Sequence, residues 1–158
     1  MKKGAISIVS AVMGAIGGMI TVAKKAEREI STHRATSEKH FELFLMMNQW
    51  VKVKQEGENL SSYFRKNNYK RIAIYGLSYA GETLLEELKD SEIEVAYAID
   101  RNADTIYSDI KVVSMDDALE DVDAIVVTAI SYFDAIADEL RRKKDCPILS
   151  LYTILYEV

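Results

Sequence analysis

The apolar and polar pattern changes character twice before settling into alternation. From Gly4 to Ala23 no residue is charged, and isoleucine, valine, alanine and methionine are mixed with glycine and serine. Lys24 to His40 is polar, mixed in charge and free of proline and glycine, which predicts a solvated helix or stalk. Phe41, Phe44, Leu45, Met46, Met47, Trp50 and Val51 then cover more than one helical face, whereas a surface helix normally carries one apolar stripe. That helix needs cover on two sides. A folded domain supplies one, and the same helix of a second copy is the simplest source of the other. Gly57 ends the pattern. Leu60, Tyr63 and Phe64 then recur at three and four residues, predicting a short helix over Asn59 to Asn67 that closes an end of the sheet.

From Ile72 onward apolar runs alternate with helical spacing. Ile72 to Tyr75 suits a buried strand, and Leu84, Leu85 and Leu88 recur helically from Tyr79. Ile93 to Ile99 is a second strand, Lys111 to Ser114 a short third, and Met115 to Glu120 a helical turn or two with Leu119 inward. Asp121 to Ala129 is the fourth, buried because it is nearly continuous in valine and isoleucine. Tyr132 to Lys143 predicts an amphipathic helix whose terminal Arg141, Arg142, Lys143 and Lys144 complement the negative end of its dipole. Pro147 to Leu151 is the fifth strand, followed by an apolar tail from Tyr152 to Val158. Such alternation with right-handed crossovers predicts the α/β class, with a five-stranded parallel sheet ordered 3-2-1-4-5. Three regions are expected: 1–23 hydrophobic, 24–66 a helical stalk and oligomerisation segment, and 67–158 the α/β domain.

Between the first strand and its helix lies Gly76-Leu77-Ser78-Tyr79-Ala80-Gly81, a G-x-S-x-x-G turn. Strand, glycine turn and helix are the context of the dinucleotide-binding fingerprint. Gly76 would permit the tight turn and Gly81 the close packing of the helix on the sheet. Ser78 replaces the glycine that normally lets the backbone approach a pyrophosphate, and offers a hydroxyl instead. Asp100 ends the second strand about 20 positions on, where the fingerprint places a ribose-binding carboxylate, and its alternative reading is a turn aspartate. In a doubly wound sheet the crevice lies beyond the carboxyl ends of strands one and four. Its predicted rim is Gly76, Leu77, Ser78, Tyr79, Asp100, Arg101, Thr128, Ala129, Ile130 and Ser131, with Gly81 behind it.

The segment from Tyr69 to Val158 resembles the NAD(P)-binding Rossmann-like superfamily. Within it, the segment is similar to small nucleotide- or CoA-binding-type domains found with bacterial sugar-nucleotide dehydratases and acetyltransferases of surface-polysaccharide pathways. The residues carrying this are Ile72 to Gly81, Ala98-Ile99-Asp100 and the strand Asp123 to Ala129. The resemblance implies NAD(P), CoA or a nucleotide sugar as ligand and an envelope-biosynthesis enzyme as partner. It also implies fusion to a membrane segment, which suits Gly4 to Ala23.

Twenty uncharged residues just cross a hydrocarbon core of about 30 Å as a helix. Gly14 and Gly18 form a G-x-x-x-G that would let two such helices approach closely. An uncleaved single-pass anchor with a cytoplasmic domain is the expectation. The alternatives are a cleaved secretory signal, a helix lying on the membrane surface, and a helix buried in a cytoplasmic oligomer.

Composition excludes more than it adds. The chain has 158 residues, 49% of them hydrophobic, with a net charge of −5, which describes a folded protein without a nucleic-acid footprint. Its single cysteine, Cys146, excludes an internal disulfide and a cysteine zinc cluster, and reads as a small buried hydrophobe. His33 and His40 are seven apart, about 10 Å along a helix, too far to ligate one metal. Tyr107 and Lys111 match the Tyr-x-x-x-Lys of short-chain dehydrogenases but precede the third strand instead of following the fourth, a chance match. The carboxylates at Asp116, Asp117, Glu120, Asp121 and Asp123 read as a solvated helix and loop. With no catalytic set in view, the expected function is an anchored, self-associating module binding a nucleotide-bearing small molecule, an accessory or sensor. The alternatives are a ligand-free interaction scaffold and a small NAD(P)-dependent oxidoreductase or epimerase completed by a partner chain.

Overall fold

The computed structural model describes residues 2–158, of which residues 2–24 and 26 are described in backbone alone. The anchor expected over residues 4–23, with Gly14 and Gly18, depends on side chains outside those described. Among the described residues no helix is long and apolar enough to cross a membrane. Helix α1 is Lys2–Gln55. Residues 1–41 form one unit and residues 42–158 a second. In the first, residues 27–40 are exposed, as their polarity predicts, and Lys25–Glu29 and Arg34–Glu38 pair at i,i+4. Exposed pairs of this kind add little stability.

The second unit is built on a five-stranded, all-parallel sheet in the order β3-β2-β1-β4-β5, as predicted. The strands are β1 (Arg71–Tyr75), β2 (Glu94–Ile99), β3 (Val112–Val113), β4 (Ala124–Val127) and β5 (Ile148–Ser150). The central pair carries the apolar runs: Ile72, Ala73, Ile74 and all of β4 are fully buried, because a parallel strand covered on both faces has no solvent side. The order reverses between β1 and β4. This arrangement is compatible with a Rossmann-like fold.

The two faces are covered differently. Ile72, Ile74, Ala124 and Val126 face α1 (Met46, Trp50, Val53), α2 (Ser61–Lys66), α3 (Tyr79–Leu88) and α5 (Leu151–Glu157). Leu60, Tyr63 and Phe64 are buried in this layer, so the short helix covers a face of the sheet. Ala73, Tyr75, Tyr97, Ile99, Ile125 and Val127 face α4 (Phe133–Leu140) and the loop after β3. A register shift between Ile72 and Ala73 skips Ala96 in the pairing, so Ala96 and Tyr97 both turn toward this second layer.

Glu87 ties α1 to α3. Its carboxylate accepts from Trp50 Nε1 (2.5 Å), Lys54 Nζ (3.0 Å) and the Leu60 N–H (2.8 Å). Gln49 Nε2 donates to the Leu155 carbonyl of α5 at 3.1 Å.

Three expectations need correction. Met115 to Glu120 is not helical. It is a turn in which Asp117 accepts the Ser114 N–H (2.7 Å), then irregular chain with Leu119 half-buried. The basic run does not extend a helix: α4 stops at Leu140, and Lys143 and Lys144 reach the carbonyls of Met115 (2.8 Å) and Leu119 (3.2 Å). The tail beyond Leu151 is helix α5, whose Leu151, Ile154 and Leu155 are buried.

The carboxylates of that loop are engaged at the amino end of the sheet. Arg71 pairs with Glu94 (3.1 Å) and Glu120 (2.9 Å) and donates to the Asp121 carbonyl, Lys111 pairs with Glu120 (3.2 Å), and Lys144 with Asp121 (2.5 Å). Asp123 accepts the N–H groups of Lys70 (2.7 Å) and Arg71 (2.8 Å). Arg71 and its neighbours thus pin an otherwise irregular crossover where a helix would normally lie.

Candidate functional site

The turn after β1 is held on all sides at the carboxyl end of the sheet. Gly76 has φ +92, and a Cβ there would lie 2.8 Å from Thr128 Oγ1. Its N–H donates to the Ile99 carbonyl (2.8 Å), and its own carbonyl accepts the Thr128 hydroxyl (2.7 Å). The two peptide groups on either side of the Gly76 Cα are thereby held by the ends of the two flanking strands. Gly81 has an equally firm reason to be glycine: a Cβ would stand 2.1 Å from the Gly76 carbonyl oxygen. The first turn of α3 therefore packs directly against the end of β1, the close approach predicted for this position.

Ser78 is the N-cap of α3 in extended conformation, and its hydroxyl makes no capping bond. The first bond closing the helix runs from the Glu82 N–H to the Ser78 carbonyl (2.8 Å). The N–H groups ahead of Glu82 have no carbonyl within the helix to bond, the usual condition of a helix start and the basis of anion binding there. Asp100 stands across from them, half-buried. Its Oδ2 accepts the Leu77 N–H (2.9 Å) and its Oδ1 the Asn102 N–H (2.9 Å). A carboxylate offers about four lone-pair sites, so each oxygen retains room for one more donor.

The predicted rim residues divide by what their polar groups already do. Leu77 buries its side chain, and Thr128 is buried with its hydroxyl on the Gly76 carbonyl, so both hold the turn. Ala129 and Ile130 are half-buried beyond β4. Ser131 is exposed and donates to Glu42 Oε2 (2.6 Å). Ser78, Tyr79 and Arg101 are exposed.

A cavity of about 460 Å³ lies beside this rim, at the carboxyl ends of β4 and β5. It is lined by Ile130, Ser131, Asp134 and Tyr152, together with Glu42 and Leu45 of α1. Sequence reasoning missed the α1 contribution, because nothing local to Glu42 signals that it meets Ser131, 89 positions away.

Lys111 is at the amino end of β3, paired with Glu120, and Tyr107 is exposed. His33 and His40 are exposed on α1. Cys146 is half-buried in the second layer, and burial pushes its thiol above the ordinary range, the reverse of what a nucleophile needs. Among the described residues no group of carboxylates, histidines and cysteines could hold a metal ion. No protein-family model matches the chain, and no curated protein matches it.

Proposed function

We propose that this chain is a membrane-anchored module whose α/β unit binds a nucleotide-bearing small molecule beyond the carboxyl ends of β1 and β4. It acts as an accessory or sensor subunit for an envelope-polysaccharide enzyme. The observation that carries the ligand reading is the Gly76–Gly81 turn, where the carbonyl of one glycine excludes any side chain on the other, at the point where strand order reverses. Open α/β sheets bind ligands at that point.

The roles follow from the chemistry available. A phosphate sits at the start of α3 with the Ser78 hydroxyl beside it. Asp100 accepts from the two hydroxyls of a ribose through its remaining lone pairs, and its charge repels a phosphate on that ribose. NAD or a nucleotide sugar is therefore favoured over NADP and CoA. The group carried by the nucleotide extends over β4 into the cavity at Ser131, Asp134 and Tyr152. The envelope setting and the anchor rest on the resemblance and on residues 4–23.

A second reading has its own observation: both Asp100 oxygens already serve the backbone, so the turn is complete without a ligand. On that reading the unit is a scaffold. Calorimetry with NAD, NADP, CoA and a nucleotide sugar separates the two, using wild type and Asp100→Ala. A saturable signal for NAD or the sugar nucleotide that weakens at least about tenfold in the variant supports binding. No signal from any of the four with folded protein overturns it in favour of the scaffold.

A further inference from the structure

The cavity of about 460 Å³ at the carboxyl ends of β4 and β5 is lined by polar groups of one electrostatic kind. Glu42 and Asp134 bring carboxylates, Ser131, Ser150 and Thr153 bring hydroxyls, and no lysine, arginine or histidine is among the described residues that line it. At the amino end of the sheet, Glu120, Asp121 and Asp123 are each met by a cation or a backbone N–H of the same chain. Here the Ser131 hydroxyl meets Glu42 Oε2 (2.6 Å), and among the described residues the side chains of Asp134, Ser150 and Thr153 have no hydrogen-bond partner. A carboxylate accepts about four hydrogen bonds and donates none, so the cavity asks its occupant for donors. An anion placed there faces two carboxylates and no counter-charge. The start of α4 is the one feature that favours an anion, and Asp134, in its first turn, already meets that charge. The volume lies within the roughly 300–1,000 Å³ of small-molecule sites.

We propose that this cavity receives the uncharged sugar of a nucleotide sugar and turns away a sugar that carries a carboxylate. The assignment rests on the nucleotide reading above and names the class of group that the nucleotide carries. A hexosyl group brings a hydroxyl on nearly every carbon, which matches a lining of three hydroxyls and two carboxylates. Its apolar ring face suits the Tyr152 ring at the cavity wall. The nicotinamide of NAD brings a single amide and leaves most of these acceptors unmet. Glu42 and Asp134 also set the exclusion, because a like charge built against the wrong ligand discriminates as strongly as a contact to the right one.

The test is calorimetry on the full chain in mild detergent with UDP-glucose, UDP-glucuronate and NAD, the first two differing only at one sugar carbon. Wild type should hold UDP-glucose at least about tenfold more tightly than UDP-glucuronate. Asp134→Asn and Glu42→Gln should each lower that ratio at least about threefold, chiefly by tightening UDP-glucuronate. Asp138→Asn removes the same charge from α4 outside the cavity and should leave the ratio unchanged. All three positions are exposed, so the urea midpoints should stay near the wild-type value. Equal affinity for the two sugar nucleotides, a ratio that the cavity variants leave alone, or one that Asp138→Asn lowers as much would each overturn the proposal. NAD binding with neither sugar nucleotide bound overturns the sugar assignment and leaves the nucleotide site standing. No binding of any of the three to folded protein removes both.

Discussion

Gly81→Ala tests whether the turn that frames the crevice is built as described. The new Cβ would lie 2.1 Å from the Gly76 carbonyl oxygen and 3.1 Å from its carbon, and 3.6 Å from Ile74 Cγ2. Nothing flexible stands in the way. The obstacle is main chain, itself bonded through Gly76 N–H to Ile99 and through Gly76 carbonyl to Thr128. Overpacking a core costs about 1–3 kcal/mol, and a backbone obstacle puts this variant at about 3 kcal/mol or beyond. Gly57→Ala is the control. With φ +80 and nothing within 4 Å of the added atom, it reports left-handed strain alone, about 1 kcal/mol. Gly76→Ala combines that strain with displacement of the Thr128 hydroxyl from its bond, roughly 2–3 kcal/mol together. Trp50 is the only tryptophan, 3% exposed and bonded to Glu87, so its fluorescence follows unfolding in urea directly. With a slope of about 2 kcal/mol per molar, Gly81→Ala should lower the midpoint by about 1.5 M. A loss no larger than that of Gly57→Ala would refute the close approach of α3 to β1.

Two pH effects of opposite sign follow from the sheet's amino end. Tyr97 is buried with its hydroxyl donating to the Glu120 carbonyl (2.9 Å), and burial, then Cys146 and Glu120, push its ionisation up to about 12 from an ordinary 10.0. Because the folded value is the higher, its contribution is fully present below pH 10.0 and disappears as pH rises through about 12. Tyr97→Phe should flatten urea stability over this range, and an unchanged alkaline slope would count against the assignment. The Arg71 and Lys70 N–H groups hold the Asp123 carboxyl below its ordinary 3.8, Arg71 does the same for Glu120, and Lys144 for Asp121. Here the folded values are the lower, so the contribution is present above the ordinary carboxylate range and lost as pH falls through the depressed values. Asp123→Asn should be less stable than wild type at pH 7 and show a shallower decline below about pH 4. Parallel acid curves for the two proteins would contradict this.

The strands were legible because they are buried on both faces. Ile72 to Ile74 and Ala124 to Val127 had to be apolar throughout, and the glycine turn announced the first crossover. The loop after β3 was illegible for the opposite reason. Its shape is imposed from a distance, by Arg71, Lys143 and Lys144, and Met115 to Glu120 has helical spacing that no partner rewards. Helix α5 was readable in principle, since Leu151, Ile154 and Leu155 recur at three and four residues, but a seven-residue chain end carries little periodicity. At the carboxyl end of the sheet, topology named the loops that follow β1 and β4 where the strand order reverses. It could not say that Leu77 and Thr128 turn inward, because that depends on which bonds the neighbouring strand ends require. On α1 the excess of apolar positions did forecast two sides, one buried at Met46 and Trp50, the other exposed at Phe44 and Val51.

The most direct test of the central claim follows the backbone amides of Ser78, Tyr79, Ala80 and Gly81 by NMR during titration with NAD. The account predicts saturable shifts concentrated at these four amides and at Leu77 and Asn102, whose N–H groups share Asp100, with NADP producing weaker shifts at equal concentration. Amides at the start of α3 that stay unmoved with NAD and equally with a nucleotide sugar, each at millimolar levels and with the protein folded, would contradict it.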